Sequence, residues 1–226
     1  MPTWWSTTSS AGSARNLMKN RDDYFSNHAV GPRWPFSLYH NAIARSTLSL
    51  LEGARPRGAA RCLNIGCGFF HAYPAWKHLG HWEACDVDAR CLEEVARRYP
   101  DVGVAVCGAV PEYPAASFDL VVATEVIEHI VDPVPWLRHV LGLLRPGGVA
   151  VFSTPNYLSP LPVVEYTLLQ AVALAKGFSR FNIHPNKYHP AKLRRHLVEA
   201  APAGSVVEVV KSAYTLALVG AVRLPA

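Results

Sequence analysis

Two glycines and a carboxylate are spaced in this sequence as they would be in a nucleoside-binding site. Gly66-Cys67-Gly68 comes directly after the apolar run 62–65, and Asp86 follows twenty-two residues after Asn64. Glycine lets the backbone approach a ligand closely because it has no Cβ. A carboxylate at the end of the next strand can accept two hydrogen bonds from a ribose diol. The pattern predicts an adenosine ligand bound at Asn64, Gly66, Cys67, Gly68, Asp86 and Val87.

The turn lacks the third glycine of the dinucleotide fingerprint, because Phe69-Phe70-His71 occupies that place. Without that glycine the backbone offers no obvious cradle for a pyrophosphate, which argues against NAD or FAD. Residues 61–150 carry seven Lys/Arg against eleven Asp/Glu, whereas residues 1–60 and 151–226 are both net basic. An acidic middle favours a cationic nucleoside, and S-adenosylmethionine is one.

Two carboxylates and an imidazole, Glu125, Glu128 and His129, follow the apolar run 118–123. Their spacing of i, i+3 and i+4 would place all three on one face of a helix. His129, whose reference pKa is about 6.5, could then remove the proton of an acceptor hydroxyl with Glu128 beside it. Alternatively, Glu125 touches the cofactor, Glu128 is solvated near a helix start and His129 packs against the next helix.

The same side chains could instead bind a divalent cation, which would acidify an acceptor hydroxyl. A later histidine would complete the set of ligands, and His184 and His189 both lie in the segment 183–190. The candidate metal ligands are Glu125, Glu128, His129 and His184.

Alternating apolar strands and helices must position these groups. This alternation predicts an α/β fold with a mostly parallel sheet that helices cover on both faces. In such a sheet, ligands bind beyond the carboxyl ends of the strands. The predicted strands are 62–65, 82–87, 102–106, 118–123, 149–152, 206–210 and 214–222, and the predicted helices of this region are 89–99, 134–144 and 190–200.

The chain is expected to hold an amino-terminal helical cap or lid, residues 1–58, and a ligand-binding domain, residues 59–226. The cap contains helical patterns near 14–27 and from Phe36 to Gly53, and its aromatic residues could close over the site. A substrate-side insertion at about 157–189 contains the apolar helix 162–176, which is typical of core or of a lipophilic pocket. The aromatic candidates are Trp4, Trp5, Trp34 and Tyr39, and a basic cluster that could meet an anionic group comprises Arg180, Lys187, Lys192, Arg194 and Arg195.

Composition narrows the class of protein. Of 226 residues 50% are hydrophobic and 17% are charged, as expected for one globular domain with a sizeable core. No secretory signal and no apolar run of membrane-spanning length is visible, and nothing resembles a nucleic-acid module. Five cysteines without a C-x-x-C pair predict buried thiols in a reducing compartment, so we expect a cytoplasmic protein.

Several motifs occur in an order that resembles class I S-adenosylmethionine-dependent methyltransferases, over about residues 60–156. Within that superfamily the sequence is most similar to ubiquinone-biosynthesis-type O-methyltransferases. The chain departs from the usual pattern at Asn64 and Gly108, where acidic residues are common, and at Phe70, where a glycine is common. The motifs are Leu63–Gly68, Asp86–Asp88, Phe118–Val122, Glu125–His129, Leu144–Gly148 and Ser153–Asn156.

The resemblance implies a Rossmann-like fold, S-adenosylmethionine as cofactor, and methyl transfer to a small-molecule acceptor. Oxygen is favoured over nitrogen as the accepting atom. The apolar helix 162–176 and the basic cluster indicate that the acceptor is lipophilic or anionic. The resemblance adds Ala109, Thr124 and Glu125 to the cofactor-binding residues. The Glu-x-x-Glu-His turn also resembles a metal site of some ubiquinone-type O-methyltransferases and of small-RNA 3′-end 2′-O-methyltransferases.

Three alternatives remain at the level of sequence. A metal-dependent RNA 2′-O-methyltransferase would require the metal site. A non-catalytic S-adenosylmethionine-binding protein is suggested by Asn64, Phe70 and Gly108. A nicotinamide oxidoreductase is the least favoured, because the third glycine is missing. The sequence carries no indication of oligomeric state.

Overall fold

A seven-stranded sheet with helices on both faces organises the chain. A computed structural model describes residues 36–53, 60–108, 110–164, 166–167, 170–175 and 184–226. The strand order is β3-β2-β1-β4-β5-β7-β6, and only β7 runs antiparallel to its neighbours. The strands are β1 Ala60–Ile65, β2 Gly80–Asp86, β3 Gly103–Val106, β4 Phe118–Thr124, β5 Leu144–Pro155, β6 Val206–Ser212 and β7 Ala217–Arg223.

Seven helices and two 3₁₀ turns are described along this sheet. The 3₁₀ turns are Lys77–Leu79, before β2, and Ile127–His129, after β4. The helices are α1 Phe36–Glu52, α2 Tyr73–Trp76, α3 Ala89–Arg98, α4 Pro133–Gly142, α5 Leu161–Val164, α6 Gln170–Ala175 and α7 Pro190–Ala200.

Two apolar clusters fill the space between the sheet and its helices. Along β4, Val121 and Ala123 belong to one cluster, whereas Leu120 and Val122 belong to the other, as the alternation of a strand requires. The first cluster includes α4 and α7, and the second includes α1, α2 and α3. Each fully buried aliphatic side chain stabilises this arrangement by roughly 1.5–3 kcal/mol. Residues 120–123 of β4 are all apolar because both faces of the strand are covered there.

The predicted strands and helices of the sheet are confirmed in type and order, with changes at their ends. β5 begins at Leu144, before the glycine pair that was expected to precede it, because Leu144 already pairs with Phe118. β7 begins at Ala217, whereas Tyr214 lies in a turn of three consecutive residues with positive φ, Ala213 to Thr215. The predicted helix 162–176 is described as α5 and α6, and residues 165, 168, 169 and 176 lie outside the described ranges.

The predicted helix 14–27 and residues Trp4, Trp5, Trp34 and Arg180 also lie outside the described residues. The predicted helix that starts at Phe36 is confirmed as α1, and α1 packs against β5, β6 and β7. Among the described helices, none has the length and apolar character that crossing a membrane requires.

The order of strands reverses next to β1. The chain passes from β1 to β2 and β3 on one side, and then returns to β4 on the other side of β1. Ligands of open α/β sheets bind at such a reversal, beyond the carboxyl ends of the strands. The residues that follow β1, β2 and β4 therefore define the candidate site.

Candidate functional site

The turn after β1 contacts the turn after β4 so closely that only glycine fits. Gly66 has φ +65°, and a Cβ on it would lie 2.5 Å from Cγ2 of Val126. The backbone N–H groups of Gly66 and Cys67 donate to the Cys85 carbonyl oxygen at 2.8 and 3.2 Å. Gly68 also has positive φ, +49°, with no heavy atom within 4 Å of its Cβ position. This turn thus leaves an open backbone surface at the end of β1.

The Asp86 carboxylate is fixed beside that turn. Its Oδ2 accepts a hydrogen bond from the Gly68 N–H at 2.8 Å, and its Oδ1 accepts one from the Asp88 N–H at 2.9 Å. Asp86 is buried at the end of β2. A carboxylate has about four lone-pair sites, so each oxygen can accept a further hydrogen bond. The geometry fits a carboxylate that binds the two hydroxyls of a ribose.

Asn64 fits a polar ligand as well. It is buried on β1, and its Oδ1 accepts no hydrogen bond within the described part of the chain. A buried oxygen without a donor is costly unless a ligand or water supplies one. The amide at this position can therefore meet a donor of the cofactor.

Phe70 stands where the family that the sequence resembles commonly has a glycine. Its φ is +46°, a region that favours glycine. Its side chain is buried and packs against the rings of Tyr73, Trp76 and Trp82 at centroid distances of 5.3, 6.0 and 5.4 Å. This aromatic packing compensates the strained backbone without placing the ring over the glycine turn's open surface at Gly68.

The remaining cofactor-side positions surround the ends of β2 and β3. Val87 is partly exposed after β2, and the Cys107 N–H donates to the Asp86 carbonyl oxygen at 3.0 Å. Ala109 lies outside the described residues. Burial, with Asp86 nearby, raises the pKa of Cys67, and burial raises the pKa of Cys91 to about 11. Both thiols are consequently protonated at neutral pH, and neither has the thiolate character of a nucleophile.

Glu125 is held by two hydroxyl groups. Tyr39 Oη donates to Glu125 Oε2 at 2.9 Å, and Ser153 Oγ donates to Glu125 Oε1 at 2.8 Å. The Glu125 N–H lies 3.1 Å from both the carbonyl oxygen and the Oγ of Ser153. Thr124, the last residue of β4, precedes this carboxylate.

The expectation that Glu125, Glu128 and His129 share one helical face is wrong. Glu125 has φ +58°, which ends the strand in a left-handed residue, and only Ile127–His129 forms a helical turn, of the 3₁₀ type. The side chains therefore diverge: Glu125 contacts Tyr39 and Ser153, whereas Glu128 is almost fully buried.

Glu128, His129 and His184 converge instead. One potential ligand atom from each lies within 4.8 Å of the others, and Glu125 is outside this group. The rings of His129 and His184 are 4.8 Å apart between centroids, and the Tyr157 hydroxyl shares a hydrogen bond of 2.6 Å with His184 Nδ1. A carboxylate and two imidazoles can bind a divalent cation or relay a proton.

His184 reaches this group because the segment that follows it is bonded to the 3₁₀ turn. The Asn186 N–H donates to the Glu128 carbonyl oxygen at 3.1 Å, and Asn186 Nδ2 donates to the Ile130 carbonyl oxygen at 2.6 Å. The alternative candidate His189 is not part of the group. Its Nδ1 accepts from the Lys192 N–H at 3.4 Å, which makes it the N-cap of α7.

Basic side chains flank Glu128, His129 and His184, which we call the convergent group. Lys187 Nζ lies 5.0 Å from the ring centroid of Tyr166 and 5.9 Å from that of Tyr157. Lys192 Nζ donates to Asn186 Oδ1 at 2.9 Å, and burial, with Arg195 nearby, lowers the pKa of Lys192. The expected basic cluster is thus partly brought to the histidine side of the site.

Sequence reasoning missed Ser153 and Tyr157 as site residues. Ser153 ends up beside Glu125 because β4 and β5 pair in register, Thr124 with Ser153. Both residues lie in or directly after the motif at the end of β5, and that position was the one signal that could have identified them. Tyr39 was expected only as a lid aromatic, whereas its hydroxyl reaches Glu125.

Comparisons with known proteins agree with this geometry. A family model described as "Methyltransferase domain" matches residues 38–201. A ubiquinone biosynthesis O-methyltransferase of Caulobacter sp. (strain K31) is 30% identical over 132 residues, which are 55% of this chain and 48% of that protein. A probable S-adenosylmethionine-dependent methyltransferase of Mycolicibacterium smegmatis is 39% identical over 79 residues, 34% of this chain and 30% of that protein. The chain therefore spans half or less of the length of these two curated relatives.

Solved structures share the fold. The structure of a DhpI–SAH complex superposes with a TM-score of 0.69 at 20% identity, covering 93% of this chain and 98% of that one. An S-adenosylmethionine-dependent methyltransferase from Mesorhizobium loti gives a TM-score of 0.58 at 21% identity, covering 76% of this chain and 95% of that one. Together with the family match, this sheet order and glycine turn show that the chain belongs to the class I S-adenosylmethionine-dependent methyltransferases.

Proposed function

We propose that this protein transfers the methyl group of S-adenosylmethionine to a small-molecule acceptor, preferentially at oxygen. The observation that carries the proposal is the Asp86 carboxylate, held 2.8 Å from the Gly68 N–H beside a turn that admits no Cβ at Gly66. A carboxylate beside exposed backbone suits a nucleoside. The ribose hydroxyls can donate to the carboxylate, and the substituent on the ribose can pass over the glycine backbone. The cofactor-binding residues we propose are Asn64, Gly66, Cys67, Gly68, Asp86, Val87, Ala109, Thr124 and Glu125.

The cofactor supplies an electrophilic methyl group on a sulfonium sulfur, and the protein must orient the acceptor and remove its proton. We propose that His129 accepts this proton, with the buried Glu128 beside it in the convergent group. An acceptor hydroxyl loses its proton as the new bond forms, and an imidazole is suited to take it near neutral pH. The similarity to ubiquinone biosynthesis O-methyltransferases supports oxygen over nitrogen as the accepting atom.

The surroundings of the convergent group support an acceptor that is anionic or lipophilic. Lys187 is exposed beside Tyr157 and Tyr166 and could pair with an acidic group of the acceptor. Leu158, Val163 and Leu174, in the insertion that follows β5, expose more than half of their surface and could contact an apolar part of it.

Free thiols at all five cysteines support a reducing, cytoplasmic location.

Calorimetry with S-adenosylhomocysteine, the demethylated product, tests the cofactor assignment, and methyl transfer to hydroxylated acids and phenols tests the acceptor class. We expect binding in both the presence and absence of EDTA, followed by turnover on at least one hydroxylated acceptor. Absence of binding would refute the assignment. Binding without turnover on any acceptor would favour the non-catalytic alternative, and tighter binding of NAD would favour an oxidoreductase.

A second proposal concerns a divalent cation at Glu128, His129 and His184. Its support is the distance of at most 4.8 Å among their potential ligand atoms, together with the hydrogen bond between Tyr157 Oη and His184 Nδ1, which orients the His184 ring. When bound, the cation would polarise an acceptor hydroxyl, and His129 would then be a ligand instead of the group that accepts the proton. Activity that EDTA abolishes and Mg²⁺ or Mn²⁺ restores would support this proposal, and the same response on RNA would favour the 2′-O-methyltransferase alternative. Activity unchanged by EDTA would refute it.

A further inference from the structure

The contact between Tyr39 and Glu125 joins the first described helix to the end of β4. Tyr39 Oη and Glu125 Oε2 are 2.9 Å apart, although 86 residues separate them in the chain. Helix α1 reaches this position by packing against β5, β6 and β7. The hydroxyl of a half-buried tyrosine is thus brought to a carboxylate at the candidate site.

The Glu125 carboxylate has little freedom to turn. Ser153 Oγ accepts from the Glu125 N–H and donates to Glu125 Oε1, so one serine ties the backbone and the side chain together. Tyr39 binds the other carboxylate oxygen. The positive φ of Glu125 is a conformation that persists only where neighbouring groups enforce it. Two hydroxyls therefore hold one negative charge at a defined place.

The strand order indicates what this charge faces. Asp86 ends β2, Gly66 follows β1 and Glu125 follows β4, and these strands are consecutive neighbours in the sheet. Neighbouring strands are about 4.8 Å apart, so the ends of β2 and β4 are about 10 Å apart. A nucleoside that binds its ribose at Asp86 and extends across Gly66 brings its far end towards Glu125. In S-adenosylmethionine and S-adenosylhomocysteine, that far end carries an ammonium group and a carboxylate, and only the ammonium group has a charge opposite to that of Glu125.

We propose that Tyr39 and Ser153 are positioning residues that hold the Glu125 carboxylate as the counter-charge of the cofactor's ammonium group. The proposal rests on the proposed function, because it requires the ribose to bind at Asp86. It assigns α1 an indirect part in cofactor recognition, because the Tyr39 hydroxyl orients the Glu125 carboxylate. It also separates Glu125 from the group formed by Glu128, His129 and His184, which we assign to the acceptor side.

Two ligands that differ only at this end test the proposal. S-Adenosylhomocysteine carries the amino-acid group, whereas 5′-methylthioadenosine has the same nucleoside and thioether without it. We expect Tyr39→Phe and Ser153→Ala each to weaken S-adenosylhomocysteine binding about tenfold, as for a lost hydrogen bond to a charged group, while 5′-methylthioadenosine binding changes less than about twofold. Glu125→Gln should show the same selectivity, because it removes the charge and keeps the size of the side chain.

Ser46→Ala is the matched control. Ser46 also lies on α1, and its Oγ is 2.8 Å from Ser212 Oγ on β6, so it anchors the same helix away from Glu125. We expect this variant to bind both ligands as the wild type does. Calorimetry should be paired with thermal unfolding, so that a loss of α1 docking is recognised by a lowered melting temperature.

Three results would overturn the proposal. Equal weakening of both ligands by Tyr39→Phe would show that the tyrosine only supports the fold. Unchanged S-adenosylhomocysteine affinity in Glu125→Gln would show that the carboxylate does not meet the ammonium group. A Ser46→Ala variant as selective as Tyr39→Phe would assign the effect to helix docking. If the wild type bound neither ligand, the proposed function itself would fail, and this inference with it.

Discussion

A Cβ at position 66 would lie 2.5 Å from Cγ2 of Val126, and the three nearest heavy atoms outside the adjacent residues all belong to Val126. Two turns that come from different strands, β1 and β4, are thus in contact at a single glycine. Two separate features require glycine at position 66: the space that Val126 occupies and the positive φ of the backbone.

Gly66→Ala should therefore lower the free energy of unfolding by about 2–4 kcal/mol, from steric overlap and backbone strain together. Adding Val126→Ala should recover the steric part, because the overlapping atom is removed, and leave a deficit of about 1 kcal/mol from φ beyond the cost of Val126→Ala alone. Urea denaturation of the two single variants and the double variant measures both parts. Additive effects in the double variant would contradict the close contact.

Asp86→Ala should weaken S-adenosylhomocysteine binding at least tenfold, because the ribose and the Gly68 N–H both lose the carboxylate to which they donate. Asp88→Ala is its control, since the Asp88 side chain accepts from the Arg90 N–H as the N-cap of α3. That variant should cost about 1 kcal/mol of stability with affinity nearly unchanged. Equal losses of affinity in the two variants would refute the assignment of the ribose to Asp86.

His129→Ala should lower the turnover number by about 10²-fold or more, with cofactor affinity nearly intact, because we place His129 on the acceptor side. His189→Ala should instead lose only the N-cap of α7, at a cost of about 1 kcal/mol in stability, and keep its turnover. Steady-state kinetics and calorimetry on both variants check the division. A His129→Ala variant that loses cofactor affinity and turnover together would show that the division is wrong.

Binding of Mn²⁺, measured by calorimetry, should be lost in Glu128→Gln and in His184→Ala, because each supplies one potential ligand of the convergent group. Glu125→Gln should bind Mn²⁺ as the wild type does, since its carboxylate contacts Tyr39 and Ser153 instead. Loss of Mn²⁺ binding in Glu125→Gln would show that Glu125 is also a ligand, as expected from the sequence. A wild type that binds no Mn²⁺ would remove the metal proposal altogether.

Acid should destabilise the protein partly through His196. Burial, followed by the charges of Lys192 and Arg195, lowers the pKa of His196 below its usual 6.5, so the folded state favours the neutral ring. The stability that this preference contributes is present above about pH 6.5 and is lost as the pH falls through the lowered folded-state pKa. The free energy of unfolding of His196→Gln should therefore decline less than that of the wild type between pH 7 and 5. Parallel curves would contradict the shift.

The fold class was predictable because its signals are local. Continuous apolar runs such as Leu120–Ala123 are required wherever a strand is buried on both faces, and glycines are required where a backbone turns against a ligand surface. The ends of the elements were less predictable. Leu144 pairs with Phe118 before the glycine pair, and a turn at Ala213 to Thr215 delays β7, because strand pairing decides both boundaries.

The amino-acid sequence by itself determined the parallel sheet, the glycine turn after β1 and the acidic residue at the end of β2, since residue type and short spacing specify these features. Only the tertiary structure decided how the Glu125–His129 turn divides. A left-handed residue at Glu125 points one carboxylate to Tyr39, whereas a 3₁₀ turn sends Glu128 and His129 to His184. Tyr39 and His184 lie 86 residues before Glu125 and 55 residues after His129, so only packing of α1 on the sheet and the hydrogen bonds of Asn186 could bring them there.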